Sequence, residues 1–252
     1  MPLIKCRAFS DADDAKHSAE IVQRLSYEIS NLLAKHPLNL NRLKEGKPVA
    51  NTILFRGCSR APELDDFDAH NHVQWNPAMM ARTCIISGIG NGLGFEIVPN
   101  SGDHRDLDNI SSLCKDIDIF LDYLNANRSC RFGFFHIKAV DEASHEQDFN
   151  LKLKLIEDID NIIKFVIERF CKDYLSGEFH IVITGDHTTL CRIGEHSCEP
   201  VPFLVSGPIS HSTVIDHSQI STRKFSECFI NSNLGRFSGK SVIDFLKQIL
   251  NK

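Results

Sequence analysis

At 252 residues, with 42% hydrophobic and 24% charged residues, the chain has the composition of a globular protein able to bury one substantial core. A formal charge of -5 without any Lys/Arg block excludes a nucleic-acid or anionic-membrane surface, while leaving room for a basic pocket that takes a small phosphate. No apolar run reaches a membrane span, the start lacks the apolar stretch of a signal peptide, and nine cysteines without a CxxC pair fit reduced thiols, so a cytoplasmic location is expected.

In chain order, an acidic, cap-rich start at residues 10–14 precedes Ile21, Val22, Leu25, Ile29, Leu32 and Leu33 at helical spacing. This predicts an amphipathic helix that ends before His36-Pro37, because the residue before proline is pushed out of the helical region. A loop to Pro48 and a strand over 49–55 (VANTILF) are expected next. The following segment, RGCSRAP, carries Arg56 and Arg60. Guanidinium forks match phosphate and carboxylate oxygens, so the pair is a possible anion clamp; surface arginines are common, and spacing alone favours two solvated side chains. Residues 63–72 (ELDDFDAHNH) read as a polar, acidic linker.

Residues 77–86 have the composition of a helix, and Gly88, Gly90, Gly92 and Gly94 follow before an apolar run. A dinucleotide fingerprint places its glycines between a strand and a helix; here a strand is expected after the glycines, so that reading is rejected. Leu107, Ile110, Leu113, Ile117, Phe120, Leu121 and Leu124 mark another amphipathic helix. A buried strand over 131–140 (RFGFFHIKAV) then delivers Asp141, with His145 four residues on. A helix over 150–170 leads to a strand over 179–184 (FHIVIT), which stops at Gly185 and delivers Asp186 and His187. A loop over 188–200 holds His196, a third strand over 201–206 ends at Gly207-Pro208, and a last helix carries Val242, Phe245, Leu246, Ile249 and Leu250. Strand, crossover helix and strand predict a parallel sheet.

Asp141, His145, Asp186, His187 and His196 therefore gather at the carboxyl edge of one sheet, where open α/β folds bind their ligands. Any one such histidine is more commonly a hydrogen-bonded or exposed imidazole; the five together point to metal. Mixed carboxylate and imidazole sets suit Mn²⁺ or Zn²⁺ better than Mg²⁺, and a metal pair can clamp the attacking and leaving oxygens of a transferring phosphoryl group.

The motifs D-E-A-S-H (141–145), T-G-D-H-T (184–188) and H-S-C-E-P-V-P (196–202) resemble those of cofactor-independent phosphoglycerate mutases, archaeal-type branch, within the alkaline phosphatase superfamily. HPLNLNR (36–42), NTILFRG (51–57), FSE (225–227) and LGR (234–236) extend the resemblance over most of the chain. It implies an alkaline-phosphatase-like α/β fold, mostly a parallel sheet flanked by helices and lacking the amino-terminal part. Residues 1–66 would be a remnant of an inserted substrate-binding domain, and 67–252 the carboxyl-terminal part of the metal-binding domain.

The resemblance further implies one metal on Asp141, His145 and His196, and a second on Asp186 and His187 with an Asp and a Ser nucleophile from a preceding segment. No nucleophile is assigned here, since Ser10 and Ser18 lack the family context. The implied substrate is phosphoglycerate, held by Arg56 and, as a weaker match, Arg60, and the implied metal is Mn²⁺ first, then Mg²⁺ or Zn²⁺, with no 2,3-bisphosphoglycerate requirement. Lys138 is a further phosphate-binding candidate, its plain alternative being a lysine packed along its stem. Other metallohydrolases of the superfamily share the metal motifs, and a non-catalytic metal-binding relic is the reading from a different class. The upstream H-P-x-N and N-T-I-L-F-R-G stretches favour the mutase.

Overall fold

The first helix, α1 (Asp13–Ala34), carries Asp13 and Asp14 in its first turn, where carboxylates complement the exposed N–H groups of a helix start. The structure is a computed structural model describing residues 5–55, 57, 59, 63–102, 110–173, 178–209 and 234–250. It comprises two units, Met1–Glu63 and Leu64–Lys252. No helix among the described residues is long and apolar enough to cross a membrane.

In the first unit, α1 stops before Pro37 as its sequence requires, but the expected loop to Pro48 is largely a helix, α2 (Pro37–Lys44). Proline at the first helical position loses no hydrogen bond, and the His36 ring accepts from the Leu38 N–H at 3.3 Å. Asn39 is buried; its amide donates to the carbonyls of Leu33 and Ala50, each at 2.7 Å, and its oxygen accepts from the Ala50 N–H. That one side chain ties the end of α1 to the segment beyond α2. Residues 49–55, expected as a strand, pair with no other strand among the described residues, and Ile53, Leu54 and Phe55 are exposed. A β-rich composition forms a strand only where another backbone pairs with it. Arg56, Arg60, Leu107 and the 225–227 match lie outside the described residues.

The second unit opens with a short helix, α3 (Phe67–Asn71), whose Phe67 stacks on Phe132 beside Trp75 and Phe95. Residues 77–86 are not the helix their composition predicts. They hold a strand, β1 (Ala78–Ala81), all four of whose residues are buried, and the start of α4 (Cys84–Gly92). Alanine and methionine favour helices in isolation, and burial on both sides overrides so small a preference. Gly88, Gly90 and Gly92 lie inside α4, and Gly90 is dictated by packing: a Cβ there would stand 2.5 Å from the Met79 sulfur.

β1 is the centre of a parallel sheet ordered β2-β1-β3, with β2 (Glu96–Ile97) and β3 (Gly133–His136) pairing to Ala78 through Glu96 and Gly133. Between them runs α5 (Ile110–Ala126), and after β3 come α6 (Ala139–His145) and α7 (Phe149–Asp173). Phe120 packs with Ala78, Met80 and Val98, while Leu113, Ile117 and Leu121 meet Ile162 of α7. The α/β class with a parallel sheet and flanking helices is thus the one the sequence predicts.

The later strands differ in pairing. β4 (Phe179–Thr184) has the expected bounds but is not a parallel neighbour of β3. The 188–200 loop contains a hairpin of β5 (Thr188–Leu190) and β6 (Glu195–Ser197). β7 (Phe203–Ile209) pairs antiparallel with β4 and runs through Gly207-Pro208 instead of ending there. A 3-10 turn, Gly239–Ser241, leads into α8 (Val242–Leu250), whose Phe245 packs against Phe203.

At the carboxyl end of β1, Arg82 donates from Nε to Asp116 at 2.6 Å and from Nη2 to Ser112 at 2.9 Å, and the Ser101 N–H donates to the other Asp116 oxygen at 2.7 Å. Both charged side chains are over nine-tenths buried. Asp116→Ala is expected to lower stability by about 3–5 kcal/mol, since it strands a buried guanidinium. A denaturant midpoint within error of the wild type would contradict this role.

Candidate metal centre

β3 ends at His136 and Lys138 caps α6, so Asp141 stands in the first turn of a helix and not directly at a strand end as its sequence context predicts. The helical spacing puts His145 on the same face, one turn on. The His145 Nδ1 lies 2.7 Å from the Gly194 carbonyl oxygen. A carbonyl only accepts, so Nδ1 carries a proton, and in the neutral ring Nε2 is the nitrogen that offers a lone pair. That Nε2 lies 3.4 Å from Asp141 Oδ2 and 3.1 Å from the Nε2 of His196.

His196 arrives from the hairpin, whose register sets it opposite Thr189, and its Nε2 lies 3.6 Å from Asp141 Oδ1. The hairpin turn needs Gly194: its φ is +69°, and a Cβ would stand 2.9 Å from the His145 carbonyl oxygen. One ligand atom from each of Asp141, His145 and His196 lies within 4.8 Å of the others. A carboxylate and two imidazoles turned toward a common point suit a divalent cation such as Mn²⁺ or Zn²⁺.

Asp141 is the electrostatic pivot. Burial would raise its pKa, but hydrogen bonds from the Lys138 ammonium and the Thr189 hydroxyl, with the charge of Lys138 and of His145, hold it down at about 2. Thr189 Oγ1 donates to Oδ1 at 2.6 Å, and Lys138 Nζ to Oδ2. The carboxylate is therefore ionised at neutral pH and pre-oriented by two donors. Lys138, singled out in the sequence for phosphate, here contacts Asp141.

Asp186 and His187 stand beside this cluster and not in it. The His187 ring packs on that of His196, with centroids 3.8 Å apart. Asp186 Oδ1 accepts from the His187 N–H at 3.0 Å, and its Oδ2 lies 3.3 Å from His187 Nε2. The Asp186 side chain is 65% exposed. The five expected ligands thus divide into a converged three and an adjoining pair.

Two further side chains belong here and escape a motif reading. Thr189 is buried and touches both groups, with its hydroxyl 3.3 Å from His187 Nδ1. A second hydroxyl after T-G-D-H-T is its sole trace in the sequence. His136, at the end of β3, has a buried Nδ1 that meets no hydrogen-bond partner among the described residues. Burial lowers its pKa below the ordinary 6.5, against the opposing pull of the Asp186 carboxylate.

A family model described as the Metalloenzyme superfamily matches residues 34–239. The chain is 30% identical over 250 residues to the 2,3-bisphosphoglycerate-independent phosphoglycerate mutase of Pyrococcus furiosus, covering 97% of this chain and 56% of that protein. It is 28% identical over 253 residues to the protein of the same name from Methanococcus aeolicus, covering 100% of this chain and 58% of the other. A solved structure, that of the PH0037 protein from Pyrococcus horikoshii, aligns with a TM-score of 0.60 at 29% identity, over 77% of this chain and 49% of that one. The chain spans about half the length of the curated relatives it matches.

The depressed His136 sets a pH dependence of stability. Below pH 6.5 the unfolded chain takes up this proton before the folded one does, so stability falls as pH drops through that window. The contribution of Asp141 is lost in the same direction but in a lower window: it is complete above 3.8 and lost only as pH falls toward about 2. Denaturant midpoints measured at about pH 7.5 and pH 5.5 should differ less in His136→Asn than in the wild type. An equal difference in both would contradict the burial of a neutral ring.

Proposed function

As this chain belongs to the Metalloenzyme superfamily, we propose that Asp141, His145 and His196 hold a divalent metal ion and that the chain supplies the metal-bearing part of a phosphoglycerate mutase interconverting 3- and 2-phosphoglycerate. The observation that carries the reading is the orientation of the donors: the Gly194 carbonyl accepts a hydrogen bond from His145 Nδ1, leaving Nε2 to face a carboxylate ionised at neutral pH. The names of the relatives give the substrate class. Mn²⁺ is the first choice for this donor set, ahead of Zn²⁺ and Mg²⁺, and no 2,3-bisphosphoglycerate is needed.

When bound, the ion supplies Lewis-acid stabilisation of charge on the phosphoryl oxygens. The residues of the chain do the rest. Asp141 stays ionised because Lys138 and Thr189 donate to it. Lys138 is half-buried beside that carboxylate, and a swing of its ammonium from Asp141 to an incoming phosphate gives it the role its position in the sequence implies. Arg56 and Arg60 clamp the substrate. Asp186 and His187 contribute part of a second cation position, completed, like the nucleophilic serine, by a segment outside these 252 residues. Residues 1–66 serve the substrate and 67–252 the metal, in a glycolytic and gluconeogenic reaction of the cytoplasm.

Calorimetric titration with Mn²⁺ tests the reading. Asp141→Asn and His196→Ala are expected to weaken binding by about 100-fold or more, and Asp186→Ala by less than about 10-fold. Equal losses in all three would contradict the division of the ligands. In an interconversion assay with Mn²⁺, turnover by this chain alone would overturn the placing of the serine outside it. Turnover is expected once a relative's remaining segment, carrying the Asp and Ser, is joined to it.

A further inference from the structure

We propose that Lys152 is a positioning residue for the centre: its ammonium, by holding the Thr189 carbonyl, fixes the β5–β6 hairpin against α6 and α7 and so sets His196 and the Thr189 hydroxyl against Asp141. The geometry stands by itself, and its consequence for metal rests on the reading above. The hairpin pairs with no other strand among the described residues. Two strands alone are marginally stable, and their outer edges carry backbone groups in need of partners. Where the hairpin sits depends on what other elements offer it.

Three side chains from one short stretch, 145–152, donate to hairpin carbonyls. His145 Nδ1 meets the Gly194 oxygen at 2.7 Å, Gln147 Nε2 the Arg192 oxygen at 3.5 Å, and Lys152 Nζ the Thr189 oxygen at 2.9 Å. His145 is itself one of the converged ligands, and the Gln147 contact is long and exposed. Lys152 makes a part-buried, charge-assisted bond, and its acceptor is the residue at which helix and hairpin meet. Thr189 lies opposite His196 in the register, and its hydroxyl donates to Asp141 Oδ1 at 2.6 Å.

A lysine that donates to one carbonyl on an open surface adds little, because water replaces the bond. Here its base is fixed. Leu155, one turn beyond Lys152 on α7, is buried against Ala139 and Ala143 of α6, the helix that carries Asp141 and His145. Lys152 thus starts from the frame of α6 and ends on the hairpin, joining the two elements whose ligands converge.

The test uses the full chain with Lys152→Met, which keeps the apolar stem and removes the ammonium, and Lys152→Arg, which keeps a cationic donor. Amide hydrogen exchange of the metal-free protein is followed over β5, β6 and their turn and over β1, with the denaturant midpoint as the measure of global stability. Lys152→Met is expected to speed hairpin exchange about 10-fold while β1 exchange and the midpoint stay unchanged, and to raise the Mn²⁺ dissociation constant by about 10-fold or more. Lys152→Arg should return both toward the wild-type values. Hairpin exchange unchanged in Lys152→Met overturns the proposal, and so does faster exchange with an unchanged Mn²⁺ constant. An equal acceleration in β1 with a lower midpoint would mark a general loss of stability and contradict the positioning role. If the wild type binds no Mn²⁺, the metal reading fails, and hairpin exchange alone decides whether Lys152 fixes the hairpin.

Discussion

An ionised carboxylate that accepts hydrogen bonds from Lys138 and Thr189 while facing two imidazoles is the interaction on which the centre depends. Taken singly, burial of Asp141 would favour its neutral form; the two donors reverse that, and its pKa sits at about 2. They also set which way the oxygens point. Oδ2 faces His145 and Oδ1 faces His196, so one carboxyl group organises ligand atoms from a helix and from a hairpin that lie about fifty residues apart in the chain.

That geometry is held by packing as much as by charge. Ala139 and Ala143 bury the inner face of α6 against Leu155 of α7, leaving Asp141 and His145 on the outer one. The same α7 reaches the hairpin through Lys152, whose ammonium takes the Thr189 carbonyl. The hairpin register then does what a loop could not: with Thr189 opposite His196, a single pairing brings the buried hydroxyl and the exposed imidazole to the same carboxylate. A slip of one strand by one residue would turn its side chain to the opposite face, away from its partner.

The side chains that converge, Asp141, His145 and His196, could be singled out from D-E-A-S-H and the later histidine, because carboxylate and imidazole at such spacing leave those letters in the sequence. Long periodic helices were equally legible, α1 and α7 above all, as was β4, whose six apolar residues end at glycine. Elements whose identity depends on partners were not. AMMA became a strand because the sheet buries it, VANTILF did not because no strand pairs with it among the described residues, and 188–197 became a hairpin through pairing that its polar composition hides. Thr189 and His136 were missed for a related reason: a threonine or a strand histidine becomes informative only once its neighbours are known. Similarity extends over nearly the whole chain but about half of each relative.

The most direct measurement of the central claim is anomalous diffraction at the manganese edge from crystals of the chain grown with Mn²⁺. The account predicts a peak in direct contact with the Asp141 carboxylate and the Nε2 atoms of His145 and His196. A peak held by other residues, or none at these three, would contradict it.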